Sequence, residues 1–423
     1  MKIDKLYLKN FRNIEETHYE FPTNFTGIIG MNGSGKSTIL HALRVAAGAY
    51  FMGIPNSLAK NRHISKDEVR MTNNKIELFH HPVIVEAEGQ FPENNAPITW
   101  RRRILKEGGS NTSSVEDVGA IRNLGSVKYN KMKREGTDEL DLPVIAYFGT
   151  NRVFGSARKR QKARTGRQIF KEGYYDWLDM RSSTYQYAQW LTSYDALVKN
   201  GKEYSESKET FFQTIKTACP YVTDVDFISD RLWLRTQMKS QISDLLPLEL
   251  KSDGIITFVQ MIAELAYRCI ILNGYLKEKA ILQSKGIVLI DEIDLHLHPK
   301  WQEHVVKDLK KAFPNIQFIV TTHSPIIVQS LKANELINLD SIADVNPSDL
   351  TLGEVVTHIM GKDSEHSESS NQQEQLSKEY LTLLKHHSLD AISEHLNQIE
   401  FKIIDPSVRA FLKMQRLEKR SNK

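Results

Sequence analysis

At 423 residues, with 40% hydrophobic and 26% charged content, the composition is that of an ordinary soluble globular chain, long enough for two or three domains or one large domain with inserts. A formal charge of +4 is too mild to argue for a nucleic-acid partner. The two cysteines, Cys219 and Cys269, lack CxxC spacing, which excludes a disulfide framework and a zinc site and fits a reducing cytoplasm, and the opening Met1-Lys2-Ile3-Asp4-Lys5 lacks the apolar core of a signal peptide.

Residues 1–30 alternate in strand fashion, with Ile3, Leu6 and Leu8 beside Lys5, Tyr7 and Lys9, then Phe11-Arg12-Asn13-Ile14. Phe25 to Ile29 reads as a strand entering Gly30-Met31-Asn32-Gly33-Ser34-Gly35-Lys36-Ser37-Thr38, and Lys36 to Tyr50 as an apolar-faced helix leaving it. The loop fits G-x-x-x-x-G-K-[ST]. A triphosphate is a dense negative charge, so its cradle needs many donors and little bulk. Glycines let backbone N–H groups turn inward, and the following helix offers its N-terminal N–H groups and positive dipole end. Lys36 is expected to reach the β- and γ-phosphates of ATP, and the Ser37 hydroxyl to bind Mg²⁺.

Residues 53–75 read as a loop-rich polar excursion. Strand patterning resumes at Val83 to Phe91 and Ile98 to Ile104, with a turn at Asn94-Asn95-Ala96-Pro97. Arg101 to Arg103 read as the charged face of an edge strand. Residues 107–140, polar and Gly/Ser-rich, read as a mobile connection, and Pro143 to Phe148 as a buried strand. The run Arg158, Lys159, Arg160, Lys162, Arg164 and Arg167 contains no acid; it is either a solvated loop or a contact for nucleic-acid phosphates. Residues 168–245 are expected to be a helical lobe without the sustained heptads of a coiled-coil arm. Its aromatics, Tyr174 to Trp190, read as core or as stacking surfaces for bases. The apolar run Ile255 to Leu276 is interrupted at spacing four by Gln260, Glu264 and Arg268, so it reads as a core helix rather than a membrane span.

Ile287-Val288-Leu289-Ile290 is a short apolar run of the kind that forms a buried parallel strand, and it ends in Asp291-Glu292. Asp291 is placed to hold Mg²⁺ through water, and Glu292 to orient or deprotonate the attacking water. Trp301 to Phe313 reads as a crossover helix and Gln317 to Pro325 as the next parallel strand with His323 at its C-terminal end, so that site residues stand at strand ends, where α/β sheets bind ligands. A short strand at Glu335 to Leu339 follows, then a polar linker at Lys362 to Gln375 and three amphipathic helices. These helices either pack on the body or dock a partner.

"LKNFRNI", "GMNGSGKST" and "DEIDLHLHP" together resemble the RecF/SMC/ABC-like ATPases over residues 1–50 and about 248–330. The resemblance implies an α/β fold: an ABC/SMC-like P-loop ATPase head with a mixed, largely parallel sheet, an antiparallel subdomain, a helical lobe and C-terminal helices. The expected boundaries are 1–154, 155–245, 246–345 and 346–423. It implies that Gly30, Asn32, Gly33, Ser34, Gly35, Lys36, Ser37 and Thr38 line the nucleotide, with Arg12 either a further contact or a surface arginine in a turn. Leu248 to Gly254 resembles a degenerate signature in which Ser252 and Gly254 face the γ-phosphate held by an opposite subunit, although Asp253 departs from the pattern and Ser252 would also suit an ordinary helix cap. Asp294 is expected at a dimer interface and His323 as the switch histidine; His296 and His298 are explained as loop structure rather than metal ligands. The glutamine that touches Mg²⁺ in many relatives has no counterpart at Tyr147 to Arg152, where only Asn151 offers a substitute, and Gln161 lies too far on.

The short lobe, "VIAYFGTNR" and the appended helices are similar to the PtuA ATPases of Septu antiphage systems and related retron cassettes. That resemblance implies an ATP-hydrolysing head-to-head dimer or higher oligomer that regulates an HNH nuclease, PtuB. The alternative is a RecF-like DNA-repair clamp without a dedicated nuclease. No Asp-x-Asp follows His323, so no intrinsic nuclease site of the OLD type is expected.

Overall fold

Three strands open the chain: β1 (Lys2–Phe11), β2 (Ile14–Glu20) and β3 (Phe25–Ile29). In this computed structural model the described residues are all but 74–76, 92–93, 95, 152–167, 179–183, 239–240, 341–344, 362–367, 387–388, 404–405 and 422–423. They fall into two units, Met1–Leu352 and Gly353–Lys423. After β3 come helix α1 (Lys36–Gly48), a small hairpin β4 (Met71–Asn73) and β5 (Glu77–Phe79), and the strands β6 (Val83–Gln90) and β7 (Ile98–Ile104). The period-two pattern of β1 buries Ile3, Leu6 and Leu8, and β2-β1-β6-β7 form an antiparallel sheet in that order.

The expected mobile connection at 107–140 is instead largely a helix, α2 (Val115–Glu135). Its sequence buries little, with Asp117, Val118, Ile121 and Gly125 facing inward, so the apolar periodicity is faint. What fixes it lies at its ends. Ser114 Oγ accepts the Asp117 N–H, Glu116 and Asp117 occupy the first turn, Lys133 and Arg134 the last, and Gly136 closes it in the left-handed conformation. Asp117 also changes the reading of the arginine run. It accepts from Arg101 Nε at 2.7 Å and Arg103 Nη2 at 2.9 Å, while Arg102 points inward, buried, and donates to His63 Nδ1 at 2.6 Å. The run is thus stitched to α2 rather than left as a solvated strand face.

Strand β8 (Val144–Phe148) is followed by α3 (Ile169–Gly173), α4 (Thr184–Lys199) and α5 (Ser207–Ala218). The lobe then departs from the helical expectation: β9 (Val222–Ile228) and β10 (Arg231–Met238) pair antiparallel, with β11 (Gln241–Ile242) and β12 (Leu246–Pro247) on β10. Helix α6 (Asp253–Asn273) opens a helical stretch, Asp253–Gln283, that is long and apolar enough to cross a membrane, but 94% of its 18-residue apolar window is buried inside the protein. Its charged interruptions are internal: Arg268 Nε lies 3.0 Å from Glu264 Oε1, and Arg268 Nη1 donates to Gly173 O at 2.7 Å.

The second half of the unit comprises α7 (Ala280–Gln283), β13 (Gly286–Ile290), α8 (Pro299–Gln302), α9 (Val305–Ala312), β14 (Ile316–Thr321), α10 (Pro325–Gln329) and β15 (Leu336–Asn338). The expected crossover helix is therefore split into α8 and α9. The central sheet has the order β15-β3-β14-β13-β8, and every neighbouring pair is parallel. Every residue of β3, β8, β13 and β14 is buried. That explains their unbroken apolar runs, since a sheet covered on both faces has no polar side, and each buried Ile, Leu or Val there contributes about 1.5–3 kcal/mol.

A short α11 (Leu352–Glu354) precedes the second unit's three long helices, α12 (Glu368–His386), α13 (Leu389–Lys402) and α14 (Pro406–Ser421). Residues 368–375, read as linker, are the first turns of α12. Tyr380, Leu384, Ile392, Leu396, Ile399, Ile403 and Leu412 form this unit's own core.

Candidate functional site

The parallel sheet brings three sequence-distant strand ends together: that of β3 leads into 30–38, that of β13 into 291–294, and that of β14 into Thr322 and His323. Gly33 and Gly35 have φ of 87° and 109°, values that L side chains rarely adopt, and Gly35 caps α1 in the left-handed conformation. Within the loop, buried Lys36 donates from Nζ to Gly30 O at 2.6 Å and Met31 O at 2.9 Å. Burial pushes its pKa down, and the carboxylates of Asp340, Asp291 and Glu292 oppose that shift.

The Ser37 hydroxyl donates to Asp291 Oδ1 at 3.3 Å, joining residues 254 positions apart. Thr321 Oγ1 donates to the same oxygen at 2.6 Å and accepts the Glu292 N–H at 2.7 Å. Asp291 is buried, and its own N–H donates to Phe148 O at 2.8 Å, tying β13 to the end of β8. Glu292 carries φ +51°, a conformation uncommon for a residue with a side chain and one that clusters at functional sites. The Ser37 and Asp291 oxygens are the hard donors that Mg²⁺ prefers.

A parallel arrangement holds Asp294. Thr322 Oγ1 donates to Asp294 Oδ1 at 2.6 Å, and the His323 N–H approaches that oxygen at 3.3 Å. The His323 residue itself is exposed. Ser252 is the N-cap residue of α6, but its side chain makes no capping hydrogen bond. Gly254 presses on the turn after Asp294: a Cβ there would sit 2.2 Å from His296 O. His298 Nδ1 accepts the Lys300 N–H at 3.3 Å and so caps α8.

Arg12, in the turn between β1 and β2, pairs with Glu68. Its N–H donates to Glu68 O at 2.8 Å and its Nε lies 3.8 Å from Glu68 Oε1. The fully buried Glu68 also takes a 2.6 Å hydrogen bond from Arg62. His41 lies 3.7 Å from Glu68, and burial together with Arg12, Arg44 and Arg62 pushes its pKa down to about 3, so it is neutral. The residue of that turn that touches the P-loop is Asn13, whose Oδ1 accepts from Thr38 Oγ1 at 3.0 Å and whose Nδ2 donates to Gly33 O at 3.4 Å.

The sequence reading missed Asn13, Thr321, Thr322 and Asp340. Two threonines closing an otherwise apolar strand just before His323 were a usable signal; Asn13 and Asp340 had none. Asn151 is exposed. The basic run Arg158, Lys159, Arg160, Lys162, Arg164 and Arg167, with Gln161, lies outside the described residues.

A family model for the AAA domain matches residues 5–258, and a second AAA-domain model matches residues 207–329. The protein called Retron Vc95 probable ATPase, from Vibrio cholerae serotype O1 biovar El Tor, is 27% identical over 391 residues, covering 78% of this chain and 71% of that one. Retron Ec83 probable ATPase from Escherichia coli is 47% identical over 85 residues, 20% of this chain and 15% of that one. Septu protein PtuA from Bacillus thuringiensis is 42% identical over 95 residues, 20% of this chain and 24% of that one. Among solved structures, the SMC head domain from Thermotoga maritima matches with a TM-score of 0.44 and 20% identity, covering 82% of this chain and 97% of that one. The chain belongs to the AAA-domain family of P-loop ATPases, and it is similar to the retron ATPases and to Septu PtuA.

Proposed function

We propose that this chain binds ATP with Mg²⁺ at the joined ends of β3 and β13 and uses its hydrolysis, as a head-to-head dimer or higher oligomer, to regulate a partner HNH nuclease in antiphage defence. The observation that carries the nucleotide site is the Ser37–Asp291 contact, because it joins a phosphate-type loop to an acidic strand end. In this reading the backbone N–H groups of 30–38 and the Lys36 ammonium hold the phosphates, and Ser37 and Asp291 hold the metal. Bound Mg²⁺ supplies neutralisation of the β- and γ-phosphate charge. Glu292 orients the attacking water and takes its proton. Asp294 fixes the segment at Thr322 and His323, so that His323 reports the γ-phosphate to the interface. Ser252 and the N–H groups opening α6 close over the nucleotide of the facing subunit; the unused Ser252 hydroxyl supports that role. A cytoplasmic location belongs to the same reading, supported by two free buried cysteines.

The nuclease partner rests on the similarity to Septu PtuA and retron ATPases. Co-expression with a neighbouring HNH-nuclease gene, co-purification, and a nucleic-acid cleavage assay with and without ATP test it. Stable association with ATP-dependent cleavage is expected. ATP-dependent DNA binding by this chain alone, without association, would replace it with a clamp acting on DNA unaided.

A further inference from the structure

We propose that Asp340 is a positioning residue of the nucleotide site, gripping the Gly30–Met31 peptide so that the P-loop mouth and Lys36 are held ready for a nucleoside triphosphate. The proposal rests on the nucleotide reading of the loop and adds to it a residue just after the edge strand β15. β15 lies beside β3 with Asn338 opposite Ile29, and the Leu339 N–H donates to Ile29 O at 3.0 Å. The chain then turns, the Asp340 N–H donating to Asn338 Oδ1 at 3.1 Å, and the Asp340 carboxylate accepts the Met31 N–H through Oδ2.

That single peptide unit is therefore held at both ends by opposite charges. Lys36 Nζ donates to its carbonyl, Gly30 O, while Asp340 accepts from its N–H. An ionised partner strengthens a hydrogen bond to roughly twice a neutral one, and a peptide polarised from both ends gains from each. The approach is also tight sterically, since a Cβ on Gly30 would lie 3.1 Å from Leu339 Cβ and 2.5 Å from Ser34 Oγ. The Met31 side chain is largely exposed, so the loop is gripped here through its backbone. A loop already fixed in its binding conformation loses less entropy on closing round phosphates, which appears as affinity rather than as turnover.

The test measures Mg-ATP Kd, KM and kcat on the full chain for wild type, Asp340→Ala and Asp340→Asn, with unfolding midpoints taken without nucleotide. Asp340→Ala is expected to raise Kd and KM about tenfold, the scale of one hydrogen bond to a charged group, with kcat within about twofold and the midpoint unchanged. Asp340→Asn, whose amide oxygen still accepts the Met31 N–H, is expected to recover most of the affinity. Unchanged or tighter binding in Asp340→Ala, a loss confined to kcat, or Asp340→Asn as weak as alanine would overturn the proposal. Failure of wild type to bind Mg-ATP at all would instead overturn the nucleotide reading beneath it.

Discussion

The segments at Ser37–Asp291–Thr321 and at Ser252–Gly254 are held in different ways. The first is locked by polar contacts within the chain: Thr321 bridges Asp291 and the Glu292 N–H, Ser37 reaches Asp291, and Thr322 holds Asp294. The second is held by shape. Gly254 backs onto His296 O with no room for a side chain, and the Ser252 hydroxyl caps nothing. A region whose polar groups are satisfied internally is preorganised. An exposed helix start whose serine hydroxyl makes no capping bond suits a ligand presented from outside the chain. The contrast fits a site in which one chain binds nucleotide and a second completes it.

Substitutions can break this contrast. The largest effect is expected from Lys36→Ala, which removes the loop's cation and should lower ATPase kcat/KM by about 10³-fold or more, the scale of a cation that stabilises transferring phosphoryl charge; steady-state phosphate release checks it. Next, Thr321→Val takes one hydrogen bond from Asp291 and another from the Glu292 N–H. It should cost about 1–3 kcal/mol in a denaturant titration and reduce turnover as well. Gly254→Ala should destabilise by about 1–3 kcal/mol, because the methyl group meets backbone rather than a yielding side chain. Ser252→Ala sharpens the contrast: unfolding is expected to be unaffected, while turnover falls about tenfold at protein concentrations that allow association.

A smaller effect involves pH. Asp308 on α9 is buried, and burial raises its pKa to about 6, against the nearby His304, Lys311 and Lys307. The folded pKa lies above the unfolded value, so unfolding releases a proton, and stability falls as pH rises from about 4 through about 6. Asp308→Asn should therefore melt about 2–4 °C higher than wild type at pH 7.5 and show no gain near pH 4. A gain of equal size at both pH values would point to packing instead.

The parallel strands β3, β8, β13 and β14 were legible because burial on both faces writes itself as unbroken apolar residues. The P-loop was legible because its chemistry needs glycines and a lysine at fixed spacing. Helix α2 was not, since so little of its surface is buried and its determinants are Ser114, the charged turns and Gly136. The β9–β10 hairpin was also missed, because β9 buries Val222 and Val225, three positions apart, and so lacks the alternation of a half-buried strand. Arg12–Glu68 and Met31–Asp340 pair residues 56 and 309 positions apart; neither local spacing nor composition records such partners. Asn13, beside the predicted Arg12, shows that the turn was legible while the side chain that reaches the loop was not.

The most direct test of the account is single-turnover ATP hydrolysis by Glu292→Gln with Mg²⁺. The left-handed Glu292 backbone and its N–H bond to Thr321 fix the side chain's origin beside Asp291, and glutamine preserves shape while removing the base. The account predicts that the variant binds ATP as wild type does and retains it, with hydrolysis slowed by about 10²–10⁴-fold. Hydrolysis at the wild-type rate would contradict it and move the catalytic base away from the end of β13.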